Sequence, residues 1–226
     1  AEVVLGEGQA NTGRRGMSRI DRATLWVYVL QLGGLPLSAA LLPLLLWRFS
    51  MEQLALWYLI QSLGLLAAIA ETALEPTLTR YITYARSGVQ RLPAHGELPG
   101  EASGMAEGAL MAEVVGATRW VYGGLSRLNL VVFGSAGTLL LFRLGAPQGD
   151  QRQVLLAWGL FTLGQCLGTH WYAAIPTLQG SGHAGAAFRA LAVQRLTFGV
   201  TAGIGLLSMG RLEVLGIAQL AGACAG

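Results

Sequence analysis

The sequence contains no lysine; all 15 of its basic residues are arginine, in a chain of 226. That points to genome base composition more than to function. Charge as a whole is scarce, with Asp, Glu, Lys and Arg making up 12% of the residues, about half the 25% usual in a soluble domain. Histidine is rarer still: His95, His170 and His183 are far apart. The two cysteines, Cys166 and Cys224, lie in apolar runs without metal-ligand spacing, so they read as small hydrophobes rather than as part of a zinc site. There is no phosphate-binding Gly-rich loop ending in Gly-Lys, no Gly-x-Gly-x-x-Gly opening a helix after a strand, and no His-Glu-x-x-His. No metal, cofactor or soluble catalysis is therefore expected, and the chain is read as not an enzyme. A net charge of +3 and a pI near 9.2 need no nucleic-acid partner, because arginine on the cytoplasmic side of a membrane protein accounts for both.

What fills the chain instead is hydrophobe, at 53%, with a mean hydropathy of +0.52. Residues 23–47, ATLWVYVLQLGGLPLSAALLPLLLW, carry no charge, and about 20 apolar residues span a bilayer core. A second charge-free run lies within 153–188. The expected fold is all-α, a polytopic transmembrane helix bundle of about six spans: 23–47, 54–73, 125–142, 154–178, 190–209 and one from Val214. That last segment is still apolar where the sequence stops and reads as a span cut short, since 13 residues cannot cross the core at about 1.5 Å each. Residues 1–22 form a polar N-terminal segment that is no signal peptide, with Met17 a candidate start, and 23–226 form the helical lobe. Arg14, Arg15, Arg19, Arg22, Arg80, Arg86, Arg91, Arg119, Arg127, Arg189 and Arg195 fall on one side of such a chain, and Arg48, Arg143, Arg152 and Arg211 on the other. Positive charge favours the inside, which makes the N-terminus cytoplasmic.

A Gly-, Pro-, Ala- and Glu-rich connection, 87–118, reads as a cytoplasmic loop. Its end, MAEVVGATRWVYGGLSRL, reads either as an amphipathic helix on the inner leaflet or as the start of the third span. Gly164–Gly168 and Gly199–Gly203 are G-x-x-x-G pairs that let helices approach closely. Pro36, Pro43 and Pro176 are kink positions. Ser181, between glycines in QGSGHAG, is a weak candidate for an intramembrane serine nucleophile, because no histidine downstream of His183 could serve as its base.

The densest polar stretch is AIAETALEPTLTRY, 68–81, with Glu71, Glu75, Pro76 and Arg80. With the second span ending near Ala73, both acids fall at the cytoplasmic boundary and share one helix face. They read either as interfacial acids beside a snorkelling Arg80 or as residues facing a water-filled cavity.

The segment LWYLIQSLGLLAAIAETALEPTLTRYITYARSG, Leu56–Gly88, resembles the second helix of bacterial polysaccharide and lipid-linked oligosaccharide flippases of the multidrug/oligosaccharidyl-lipid/polysaccharide exporter superfamily. Trp57, Tyr58, Glu71, Arg80 and Tyr81 stand at the matching places. The family's Asp-x-Gly turn is replaced by ETALEP. His170–Val200 is similar in layout to a later helix–turn–helix of the same family. The resemblance implies a two-lobed alternating-access transporter in a bacterial inner membrane, of which this chain would be the N-terminal lobe. Its partners would be a lipid-linked sugar, membrane lipid and other polysaccharide-assembly proteins. It makes Arg80, then Arg195, candidates for binding the pyrophosphate headgroup, with Glu71 and Glu75 beside them. The alternatives are a cation-coupled multidrug exporter of the same superfamily, for which an acid in the first span would be expected, and a membrane polymerase or ligase of surface polysaccharide, for which a large outer loop would be expected.

Overall fold

A computed structural model describes residues 39–89, 108–143 and 151–225. Residues 1–22, most of the expected first span and part of the expected 87–118 loop lie outside the described residues. Those described are helical throughout, with no strand among them. The helices are α1 (Ala39–Arg48), α2 (Met51–Arg86), α3 (Gly108–Arg143), α4 (Gln151–Trp171), α5 (Ala174–Gly180), α6 (Ala184–Ser208) and α7 (Glu213–Ala225).

Three of them, α2, α3 and α6, are long and apolar enough to cross a membrane. Helix α4 has 21 residues, a rise of about 31 Å, but its glutamines, threonines and His170 make it more polar. Helices α1 and α7 are shorter apolar segments. The outward faces are oily: Leu65, Leu66 and Ile69 of α2, Val131 of α3 and Ile204 of α6 are all exposed.

Helix α2 opens on a capping box. The Gln53 amide N–H donates to the Ser50 hydroxyl, and the Ser50 N–H donates to the Gln53 side chain. Two N–H groups that the first turn cannot satisfy are paired in this way, so Ser50→Ala is expected to cost about 1 kcal/mol, read as a lower thermal midpoint in detergent.

The helix then runs 36 residues through Pro76 to Arg86 instead of ending near Ala73. Proline removes one backbone bond but does not end a helix that tertiary contacts support. Those contacts are Ile82 and Ala85, which form a small second cluster with Val114 of α3. Helix α3 likewise begins at Gly108, so residues 108–118 are helix rather than loop, and MAEVVGATRWVYGGLSRL is the start of the third long helix. It contains a π-helical turn at Phe133–Gly137.

The expected fourth helix, 154–178, is broken at Tyr172–Ala173, after which α5 carries Pro176 near its start. Early helical positions tolerate proline because their N–H groups lack intrahelical partners. The α5–α6 turn uses Gly182 at φ +83°, a left-handed conformation that glycine adopts without strain.

The main core joins Leu45 and Phe49, Trp57 and Ile60 of α2, Trp158 and Phe161 of α4, Leu206 of α6, and Leu215 and Ala218 of α7. Helix α7 packs chiefly on α4 and α6. Glycine permits the α4–α7 approach: a Cβ on Gly164 would lie 2.8 Å from the Leu220 nitrogen, and one on Gly216 would lie 2.7 Å from the Ala157 carbonyl oxygen. Two of the other expected glycines are looser. Gly168 would meet only side-chain atoms at 3.7 and 3.9 Å, and Gly203 faces open space. The Arg48 guanidinium donates to the Leu207 carbonyl, which places a cation at the electronegative C-terminal end of α6.

Candidate functional site

Along α2, Trp57 and Ile60 belong to the main core, and Ile82 and Ala85 to the second cluster. Between them stand Glu71 and Glu75, one turn apart on one face. Glu71 is only 7% exposed, and Glu75 is half-buried. A buried carboxyl needs hydrogen-bond partners to offset its lost hydration, and the neighbouring helices supply them.

The Thr169 hydroxyl and the Gln165 side chain, both from α4, bond the Glu71 carboxyl. The Tyr122 hydroxyl of α3 donates to the Glu71 backbone carbonyl at 3.3 Å. Around Glu75, the Tyr172 hydroxyl donates to Oε2 at 2.8 Å and the Gln179 amide of α5 donates to Oε1 at 3.0 Å. The Gln219 amide of α7 donates to Gln165 Oε1 at 3.1 Å. The Tyr122 and Tyr172 rings stand 5.9 Å apart between the two carboxyls' partners. The result is a polar belt built from five helices across an otherwise apolar bundle, in which hydroxyls and amides hold both acids.

Local sequence puts these groups there. Gln165, Thr169 and Tyr172 recur at helical spacing, so they line one side of the α4 C-terminal half. The break at Tyr172–Ala173 then turns the chain so that α5 brings Gln179 back toward α2. The same return lays Gly180 against α2, where its Cβ would lie 2.7 Å from Ile82.

The Thr169 hydroxyl has a chemical consequence. It carries one hydrogen, yet two acceptors are in reach, the Glu71 carboxyl and the Gln165 backbone carbonyl at 3.0 Å. With Glu71 ionised, Thr169 can serve only one of them. With Glu71 protonated, the carboxyl O–H donates to Thr169 Oγ1 and the Thr169 O–H donates to Gln165, so both bonds form. The hydrogen-bond pattern of α4 therefore depends on whether a proton sits on Glu71.

The structure brings the two acids together and sets Arg80 on another side of α2. Arg80 lies nine residues beyond Glu71, about 180° around the helix, and is exposed. Arg195 is exposed on α6. Glu71 is therefore a carboxyl inside the bundle, not an acid at a helix end in water. Helix α2 continues past it to Arg86, so no helix C-terminus lies beside these acids.

The partners Gln165, Thr169, Tyr172, Gln179 and Tyr122 were not expected. Their signal was the polar spacing in GQCLGTHWY, within a run notable chiefly for lacking charge. Ser181 Oγ lies 3.2 Å from His183 Nδ1 in the exposed α5–α6 turn and also donates to the Leu178 carbonyl at 3.1 Å, an arrangement that closes the turn. Among the described residues no three His, Cys, Asp or Glu side chains gather as metal ligands. Comparison with protein-family models, with curated proteins and with solved structures finds no match to this chain.

Proposed function

We propose that this chain is one lobe of a membrane transporter that moves a lipid-linked saccharide from the cytoplasmic to the outer leaflet of a bacterial inner membrane, with Glu71 as its proton-responsive element. The observation that carries this reading is the polar belt, two carboxyls placed inside an apolar bundle and held by neutral donors from α4, α5 and the turn between them. Ionisable residues within membrane helices are costly and mark ion or substrate paths. A purely structural role is disfavoured, because well-packed hydrophobes in place of buried polar groups are often at least as stable.

The surface supports a bilayer at a particular height. Trp47, Trp120 and Trp171 are exposed, and tryptophan collects at the two membrane interfaces. Met51 to Glu71, Trp120 to Arg143 and Gln151 to Trp171 each rise about 30–35 Å, close to the thickness of the hydrocarbon core. The belt then lies at the inner edge of the core, and the ends of α2 and α3 that carry Arg80, Arg86 and Arg119 extend into the cytoplasm. In that position arginine suits a phosphate headgroup by its charge and fork geometry. Arg80 remains the first candidate for headgroup contact and Arg195 the second.

Glu71 also favours the cation-coupled exporter of the same superfamily as the second reading, since a buried acid can bind a proton or a small cation whatever the cargo. The membrane polymerase or ligase reading gains no such support.

The test is complementation. The protein containing this chain, placed in a strain that lacks its own flippase, is expected to restore surface polysaccharide. Arg80→Ala is expected to lower the restored amount about tenfold, through loss of a charge-assisted phosphate bond. Full restoration by Arg80→Ala would remove Arg80 from the mechanism. Failure of the unaltered protein, with proton-driven drug efflux instead, would favour the exporter.

A further inference from the structure

The seam between α3 and α4 carries a second polar cluster. Tyr122 and Thr169 reach inward to Glu71 and belong to the belt. Their chain neighbours Gly123 and His170 meet at the surface instead. Gly123 is buried, and the side chains nearest to it are Arg127 and His170, both exposed. From the point where a Gly123 Cβ would stand, Arg127 Nη2 is 3.6 Å away and His170 Nδ1 is 3.8 Å away. The two come from different helices, which Ser126 ties together at this height by donating to the Cys166 carbonyl at 2.7 Å.

Arg127 stands in a costly place. It lies two turns of α3, about 10 Å, past Trp120, within the segment bracketed by the exposed tryptophans. Leu130 and Val131 beside it are exposed, so this face of α3 is oily. A charge on such a face must reach a polar partner or the headgroup layer. Arg127 turns back toward Trp120: its Nε donates to the Gly123 carbonyl at 3.1 Å, one turn away. The missing side chain of Gly123 leaves room for that bend, which carries the guanidinium toward the inner interface. His170 arrives at the same point from the last turn of α4. The guanidinium meets no carboxylate among the described residues, so the protein leaves its charge unanswered.

We infer that Arg127 and His170 form a binding site for the phosphate of an anionic phospholipid in the inner leaflet. The guanidinium suits phosphate by its charge and fork geometry. The imidazole keeps at least one N–H in either protonation state, and a phosphate has oxygens for both side chains. A lipid is the source that fits the surroundings. The site opens sideways beside Leu130 and Val131, where acyl chains would lie. Exposed Trp120 and Trp171 flank it at the interface, with the Trp171 ring edge-on to His170 at 5.9 Å. Basic pockets between membrane helices on the cytoplasmic side suit anionic headgroups. The inference rests on the height assigned to the bilayer above; it does not depend on what the protein transports or on the protonation of Glu71.

The test is native mass spectrometry of the delipidated protein containing this chain, titrated with dioleoylphosphatidylglycerol. Arg127→Gln is expected to weaken the tightest-bound lipid at least about tenfold, through loss of a charge-assisted phosphate bond. His170→Leu is expected to weaken it about threefold, through loss of one hydrogen bond. Both side chains are exposed, so the variants are expected to keep the fold. Arg143→Gln, at the other end of α3 and also exposed, is expected to change nothing. The double variant is expected to weaken the same single lipid as each single variant. Dioleoylphosphatidylcholine is expected to bind more weakly, and inorganic phosphate is expected not to displace the lipid. Unchanged binding in Arg127→Gln, an equal loss in Arg143→Gln, or equal binding of the zwitterionic lipid overturns the site. Displacement by inorganic phosphate overturns the lipid as its occupant. Weakening of two lipids in the double variant overturns the sharing of one phosphate by the two side chains.

Discussion

Glu71→Gln is expected to leave the bundle folded and, on the proposed transport reading, to remove the dependence of transport on the proton gradient. Glutamine keeps the volume of glutamate and can still bond Thr169 and Gln165, so the packing around α2 survives. What it cannot do is change its own hydrogen count. In the native chain the single hydrogen of Thr169 is shared between the Glu71 carboxyl and the Gln165 carbonyl according to whether Glu71 is protonated. A neutral amide fixes one arrangement permanently. Transport driven by an imposed pH gradient in proteoliposomes is expected to fall at least about tenfold, a loss of roughly 1.4 kcal/mol or more in the driving step. Binding of the proposed lipid-linked saccharide is expected to change much less.

Glu71→Leu provides the contrast. It removes the acceptor for the Gln165 amide as well, so it is expected to cost stability by about 1–3 kcal/mol in addition to abolishing coupling. A Glu71→Gln protein that retains a full pH response would remove Glu71 from the mechanism.

The second large effect is structural. Gly164→Leu is expected to separate α7 from α4 and to lower the thermal midpoint sharply. Even the first carbon of such a side chain would lie 2.8 Å from the Leu220 nitrogen and 2.9 Å from the Gln219 carbonyl carbon. These are backbone atoms and cannot rotate away as a side chain could. Overpacking of this kind costs about 1–3 kcal/mol, and more where backbones must part. Gly168→Ala, four residues on and in the same G-x-x-x-G pair, is expected to be neutral within about 0.5 kcal/mol. There the added methyl meets only Gln194 Nε2 and Ala223 Cβ, both at ordinary contact distances. Equal losses at the two positions, measured by thermal aggregation in the same detergent, would refute this account of the α4–α7 contact.

These two residues also show what could be read in advance. The helical, membrane-compatible character of the chain follows from charge-free runs alone, because they are long enough to span a bilayer core as helices. The G-x-x-x-G spacing pointed to Gly164, but spacing is blind to what stands opposite. It therefore ranked Gly168 and Gly203 alongside Gly164 and missed Gly216, whose closest neighbour is an α4 carbonyl.

The acids Glu71 and Glu75 were conspicuous as charges in an apolar segment. Their environment was not, because it is assembled from uncharged side chains up to 104 residues away. The length of α2 was misjudged for a related reason. Counting bilayer thickness stops a helix where the membrane stops, whereas α2 is carried onward to Arg86 by packing of Ile82 and Ala85 against α3. Arg80 stands about 180° from Glu71 around that helix, as regular helix spacing requires, because the helix continues through Pro76.

The continuity of α2 has a mechanical consequence. Fifteen residues separate Glu71 from Arg86, a length of about 22 Å, and twenty separate it from Met51, about 30 Å. A rod pinned near its middle is a lever with two arms. A tilt of about 5° around the polar belt, within the range of small helix motions in switching proteins, would swing Arg86 by about 2 Å and Met51 by nearly 3 Å in opposite directions. A change of a single proton at the fulcrum would then be felt at both ends of α2 at once.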